Sequence, residues 1–197
     1  MIMYMYKENR NSDILCITNR KLCREDFITR MRKIAAAHPA AVVVREKELL
    51  EKEYMELAEE ILNICREQET VCILHSFPEA ALELGCDSLH LPLPVLMKME
   101  PGKRQSFRVL GASCHSVEDA VLAEKLGCTY ITAGHIFDTD CKKGLPPRGT
   151  AFLREICQTV SIPVYAIGGI RLEAAQIREV MSCGAVGGCI MSGMMAL

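Results

Sequence analysis

The sequence predicts an α/β fold, a single-domain TIM-type (β/α)8 barrel over residues 1–197 with its eighth outer helix truncated. Three observations predict it. Eight short apolar runs alternate with longer amphipathic ones, the order that builds parallel sheets from βα units. Several of the short runs are apolar throughout, as strands covered on both faces are. No Gly-x-Gly-x-x-Gly follows the first strand, which weighs against the alternative of an open doubly wound sheet.

The first strand is Ile14–Thr18 and leads to a helix over Glu25–Ala37. Ala41–Arg45 is the second, followed by Lys52–Gln68, where Tyr54–Leu62 carries the clearest helical period. Val71–His75 precedes Glu79–Leu84, and Ser88–Leu91 precedes a weaker helical stretch over Pro94–Gln105. Val109–Ser113 is the fifth strand. Ser116, three residues before Asp119, then opens the helix Val117–Leu126 as a near capping box. Tyr130–Ala133 is joined to the helix Thr150–Thr159 by the long segment Phe137–Gly149, which reads as an active-site lid. Pro163 opens the seventh strand, Val164–Ile167, where its missing N–H costs little. Leu172–Cys183 is helical, and Val186–Ile190 is the last strand, followed only by Met191–Leu197. Gly85, Gly127 and Gly184 close three of the helices in the left-handed conformation.

Composition narrows the partners. Half of the residues are hydrophobic, enough for a large core. The net charge of −2, with no run of five or six like charges, argues against nucleic acid or an anionic membrane as the main partner. Met1–Arg10 lacks a signal-peptide apolar region, so a cytoplasmic protein is expected. The eleven cysteines form no Cys-x-x-Cys pair and read as reduced core residues. An uncovered last strand makes a homodimer possible.

In such barrels the chemistry sits where strands end and βα loops begin. Those positions hold Arg45 with Lys47, His75, His90, Ser113 with His115, Gly134 with His135, Gly168-Gly169 and Ser192-Gly193. The glycine turns after strands seven and eight suit a phosphate. Arg45 suits a carboxylate or phosphate held by two bonds, or else belongs to a solvated charge cluster, Arg45-Glu46-Lys47, leading into the helix. Lys142 and Lys143 make the lid basic. Four histidines at strand ends suit proton transfer better than a metal, because no carboxylate or His-x-His pair accompanies them. No cofactor is expected. His115 stands out, following Ser113-Cys114 at the start of a capped helix.

The run Gly134-His135-Ile136-Phe137-Asp138-Thr139-Asp140-Cys141-Lys142-Lys143-Gly144-Leu145, with Ala166-Ile167-Gly168-Gly169-Ile170, resembles the thiamine phosphate synthase/TenI superfamily from Ile14 to Gly193. Synthases of that superfamily join a pyrimidine diphosphate to thiazole phosphate with Mg²⁺, held by an Asn-Asp pair after strand three and a His-x-Gly-Gln-x-Asp pattern after strand four. Here those places read His75-Ser76 and His90-Leu91-Pro92-Leu93-Pro94-Val95, and the glutamine that reads the pyrimidine is Val43. The TenI-type thiazole tautomerases share the Thr-Asp-Cys-Lys-Lys-Gly lid and Ser-x-His, as in Ser113-Cys114-His115. This resemblance implies a metal-independent proton shift that aromatises a carboxythiazole phosphate, with His115 catalytic. It places Arg45 on the carboxylate, Gly168, Gly169, Ser192 and Gly193 on the phosphate, and Thr139 and Lys142 in the closing lid. Lys47, Ser113 and Gly134 complete the expected contacts to a small phosphorylated thiazole. A synthase, or a non-catalytic phosphate-binding homologue, is the alternative.

Overall fold

A computed structural model describes residues 13–139, 142 and 144–196 of the chain. Eight parallel strands close into one barrel in sequence order. They are β1 (Ile14–Ile17), β2 (Ala41–Val44), β3 (Cys72–His75), β4 (Ser88–Pro92), β5 (Val109–Cys114), β6 (Tyr130–Gly134), β7 (Val164–Ile167) and β8 (Gly187–Ile190). The seam closes by pairing Ile14 with Gly188, Leu15 with Cys189 and Cys16 with Ile190. The outer ring comprises α1 (Phe27–Ala36), α2 (Glu51–Glu67), α3 (Pro78–Glu83), α4 (Leu93–Lys98), α5 (Pro101–Gln105), α6 (Val117–Lys125), α7 (Gly149–Thr159), α8 (Ala174–Ser182) and α9 (Ser192–Met195).

The strands and the helix positions follow the apolar pattern closely, with three differences. Val71 and Val186 stand exposed before their strands, which start one residue later. The expected helix over Pro94–Gln105 is two short ones, α4 and α5. Pro101 forces Glu100 out of the helical region, to ψ 141°, and breaks the run there. A 3₁₀ turn over Arg20–Leu22, capped by the Asn19 side chain, was not expected. The eighth helix is the four-residue α9; its Met194 and Met195 are buried, and the Met195 sulfur lies 3.8 Å from that of Cys23.

Alternation along each strand splits the core into two. Ile14, Cys16, Val42, Val44, Leu74, Leu89, Leu91, Leu110 and Ala112 face outward into the layer under the helices. Leu15, Ile17, Ala41, Val43, Ile73, Tyr130 and Cys189 fill the barrel itself. The same alternation turns Arg45, His75, His90, Gly111 and Ser113 inward, toward the C-terminal mouth. Tyr54 of α2, fully buried, ties the wall together: its hydroxyl donates to the Val44 carbonyl at 2.8 Å and accepts from the His75 N–H at 2.9 Å. The ten described cysteines are free and mostly buried, and burial pushes the Cys114 and Cys128 thiols up to about 12. No described helix is long and apolar enough to cross a membrane.

Candidate active site at the C-terminal mouth

The strand ends open onto a cavity of about 310 Å³, the size range of small-molecule sites. Arg45, Lys47, Ser113, His115, Thr139, Lys142, Gly168, Gly169 and Ser192 all line it. Gly134 and Gly193 do not. Gly134 contributes its carbonyl from behind, and Gly193 lies within the first turn of α9. Asp140, Cys141 and Lys143 of the lid motif, like Met1–Arg10, fall outside the described residues. Four further lining residues, His75, His90, Thr132 and His135, are buried. Thr132 carried no signal in the sequence beyond its place one residue before the end of a strand. A larger depression on the outer face of α2 and α3 is lined by Glu51, Glu56, Glu59, Glu79 and Glu83 and is remote from the strand ends.

The electrostatics of the mouth are one-sided. Among the described lining residues three are cations and none is a carboxylate. Lys47 shows the crowding: desolvation, then the charges of Arg45 and Lys142, hold its ammonium below the ordinary range. A ligand carrying two anionic groups would relieve this repulsion.

The Arg45-Glu46-Lys47 segment is built around its middle residue. Glu46 is 1% exposed, not part of a solvated charge cluster. Its carboxylate accepts from the Thr18 hydroxyl at 2.7 Å and from the Arg20 N–H at 3.1 Å. Thr18 in turn accepts from the Arg45 N–H at 2.8 Å. The loops after β1 and β2 are thereby fastened together, with Arg45 on the inner side and Lys47 on the rim. Desolvation raises the Glu46 carboxyl above the ordinary carboxylate value, despite the bond from Thr18.

His115 sits exposed at the rim, one residue past β5. Its backbone N–H donates to the Asp119 carboxylate at 2.8 Å, while Ser116 caps the Asp119 N–H at 3.0 Å. The Ser116 bond is the cap expected from the Ser116/Asp119 spacing, while the Asp119 carboxylate takes the His115 N–H, one residue before the cap. The ring Nδ1 lies 2.9 Å from the Gly134 carbonyl oxygen. A carbonyl only accepts, so Nδ1 carries the proton in the neutral ring and Nε2 keeps its lone pair.

Two strands further round, after β7, lies the glycine turn. Gly168 has φ +96°, and a Cβ there would meet the His135 Cβ at 2.2 Å. Gly169 has φ +68°, and a Cβ would meet the Asp138 carbonyl at 2.4 Å. Only glycine permits this backbone so near the neighbouring loop. The two loops are also zipped together, Ile136 N–H to Ile167 carbonyl at 2.9 Å and Phe137 N–H to Gly168 carbonyl at 3.0 Å. The lid segment closes on itself at its base, where Arg148 N–H bonds the His135 carbonyl at 3.0 Å and Gly149 N–H bonds that of Ile136 at 3.1 Å.

Deeper in the barrel, His75 and His90 stack with ring centroids 5.4 Å apart. His75 Nδ1 is 2.6 Å from the Ser76 hydroxyl. His90 is bonded at both nitrogens, Nδ1 to the Tyr130 hydroxyl at 2.8 Å and Nε2 to the Ser113 hydroxyl at 2.9 Å. Burial above all holds both rings neutral, pushing His90 down to about 3 and His75 to about 2.

The Mg²⁺ implied by resemblance to the synthases can be tested against these donors. A hard cation takes carboxylate and carbonyl oxygens. The described ends of β3 and β4 offer two neutral imidazoles already engaged by neighbouring hydroxyl groups. No three His, Cys, Asp or Glu side chains converge among the described residues. The described residues do not fit that ion.

A family model described as thiamine monophosphate synthase matches residues 14–194. The chain is 32% identical over 164 residues to the putative thiamine-phosphate synthase 2 of Aquifex aeolicus, covering 83% of this chain and 88% of that one. It is 33% identical over 186 residues to the thiamine-phosphate synthase of Coprothermobacter proteolyticus, covering 91% and 85%. Among solved structures, thiamine phosphate pyrophosphorylase from Pyrococcus furiosus superimposes with a TM-score of 0.79 at 30% identity, covering 95% of this chain and 90% of that one. With these relatives and this barrel, the chain belongs to the thiamine phosphate synthase/TenI superfamily of thiamine biosynthesis.

Proposed function

We propose that the protein is a thiazole tautomerase, aromatising a carboxythiazole phosphate by a proton shift that its own side chains carry. The observation that supports this reading most is the pairing of His115 with Gly134, which presents Nε2 as a base at a cavity without described carboxylates. In this reading Nε2 takes the proton from ring C2. The C2–H electrons enter the ring, the ring double bonds shift, and the exocyclic ethylidene carbon takes a proton back from the imidazolium. Substrate and product are isomers, so nothing else is consumed. Arg45 holds the C2 carboxylate, and the turns at Gly168-Gly169 and Ser192-Gly193 hold the phosphate. Thr139 and Lys142 cover the ring, and Lys47 adds a second cation at the rim.

The test is turnover of the carboxythiazole phosphate tautomer in the presence of a chelator, followed by the ultraviolet change on aromatisation. The reading expects metal-free turnover by the wild-type chain, and no turnover under those conditions overturns it. A second reading, condensation of a pyrimidine diphosphate with thiazole phosphate, is favoured by the names of the relatives. It expects diphosphate release when both substrates and Mg²⁺ are supplied, and the donor set at β3 and β4 weighs against it.

A further inference from the structure

The row of residues beneath the cavity has a direction. Pairing of neighbouring strands sets His75 beside His90, His90 beside Gly111, and Gly111 beside Tyr130. Gly111 has no side chain because the space is taken: a Cβ would lie 2.2 Å from the Tyr130 ring and 2.6 Å from His90 Nδ1. Tyr130 therefore reaches across β5 to His90, and His90 reaches up to Ser113, which is two residues beyond Gly111 on the same face and lines the cavity.

Two hydrogen bonds join three groups, and a neutral imidazole donates at one nitrogen and accepts at the other. Only two directions are consistent. If His90 Nδ1–H donated to Tyr130, the phenol O–H would need another acceptor. Tyr130 is packed among Leu15, Ile17, Ile73 and Cys189 with Tyr165 edge-on at 6.0 Å, and among the described residues its hydroxyl bonds His90 alone. A buried O–H without an acceptor is costly, whereas an unused lone pair on a phenol oxygen is not. The phenol therefore donates to Nδ1, and Nε2–H donates to the Ser113 oxygen.

We infer that the Tyr130–His90 pair fixes the polarity of Ser113, leaving the Ser113 hydroxyl to donate to an acceptor atom of the ring in the cavity. His90 and Tyr130 are positioning residues, and Ser113 is the group they aim. The consequence for specificity rests on the reading of the cavity as a thiazole phosphate site: a ring bearing a nitrogen or carboxylate oxygen opposite Ser113 gains a hydrogen bond from its hydroxyl. The polarity itself does not rest on that reading.

Nitrogen-15 NMR of the histidine rings in the intact chain tests the polarity directly, with each ring assigned by single substitution. The expected signature for His90 is an unprotonated Nδ1 and a protonated Nε2. The reverse pattern, or two protonated nitrogens, overturns the inference. In Tyr130→Phe the hydroxyl is removed and the ring kept, so the His90 preference should be lost. Affinity for thiazole phosphate by calorimetry should weaken roughly three- to tenfold, the effect of about one neutral hydrogen bond. Unchanged affinity together with a changed tautomer overturns the role given to Ser113. If the wild-type chain binds no thiazole phosphate, the ring-site reading fails, while the NMR signature still decides the polarity.

Discussion

The Thr18 hydroxyl donates to the Glu46 carboxylate at 2.7 Å, joining the loops after the first two strands through a side chain 1% exposed. Removing that carboxylate leaves the Thr18 O–H and the Arg20 N–H without their acceptor, a cost of about 1–3 kcal/mol. Glu46→Ala is expected to lower Tm by roughly 2 to 10 °C in a chain of this size. It should also weaken binding of the carboxythiazole phosphate, whose carboxylate Arg45 is proposed to hold, because the Arg45 N–H is held by the same Thr18. Differential scanning calorimetry with and without the aromatic carboxythiazole phosphate measures both; a Tm matching wild type would show that the fastening contributes nothing.

His115→Ala should lower kcat for aromatisation by about 100-fold or more, the usual contribution of one general acid–base group. The aromatic carboxythiazole phosphate should still bind within about threefold of wild type, since Arg45 and the glycine turns are untouched. The decisive quantity is the ultraviolet rate at saturating substrate. A variant as fast as wild type would remove His115 from the proposed chemistry.

Stability should fall in mild acid for a reason located inside the barrel. His75 and His90 are held at about 2 and about 3, below their ordinary 6.5. Between those values the unfolded chain binds protons that the folded chain does not, so folding is opposed as pH decreases. Their contribution is complete above about pH 6.5 and declines below it, by up to ~1.4 kcal/mol per pH unit for each ring. Urea midpoints from pH 7 to pH 4 should decline steeply. In His75→Gln the slope should be shallower, and an unchanged slope would place the acid sensitivity elsewhere.

Gly168→Ala places a Cβ at φ +96° and 2.2 Å from the His135 Cβ. The backbone conformation alone costs about 1–3 kcal/mol. The loops after β6 and β7 must then part, so thiazole phosphate affinity should drop together with Tm. Wild-type affinity in this variant would mean that the turn takes no part in ligand binding.

The barrel was legible because several of its strands, covered on both faces, are apolar throughout, and because glycines mark the helix ends at Gly85, Gly127 and Gly184, all at positive φ. Most of the cavity lining was legible too, since strand ends in a barrel share one face. The remainder depends on register, which a sequence does not display. Nothing near Gly111 announces that Tyr130 and His90 meet over it, because the two lie 40 positions apart and touch only through closure of the sheet. Glu46 was hidden differently: flanked by Arg45 and Lys47 it reads as solvated, and only the fold buries it between two loops. The break at Pro101 was readable in principle, since a residue before proline resists the helical conformation.

The pinched base of the segment after β6 separates two jobs within one loop. Arg148 and Gly149 return to His135 and Ile136, and Ile136 and Phe137 bond Ile167 and Gly168, so the stem is fastened to itself and to the neighbouring glycine turn. That stem holds Gly134, and with it the imidazole that Gly134 bonds, independently of the sequence beyond it. A barrel arranged in this way can change the cover of its cavity while the His115–Gly134 pair stays in place.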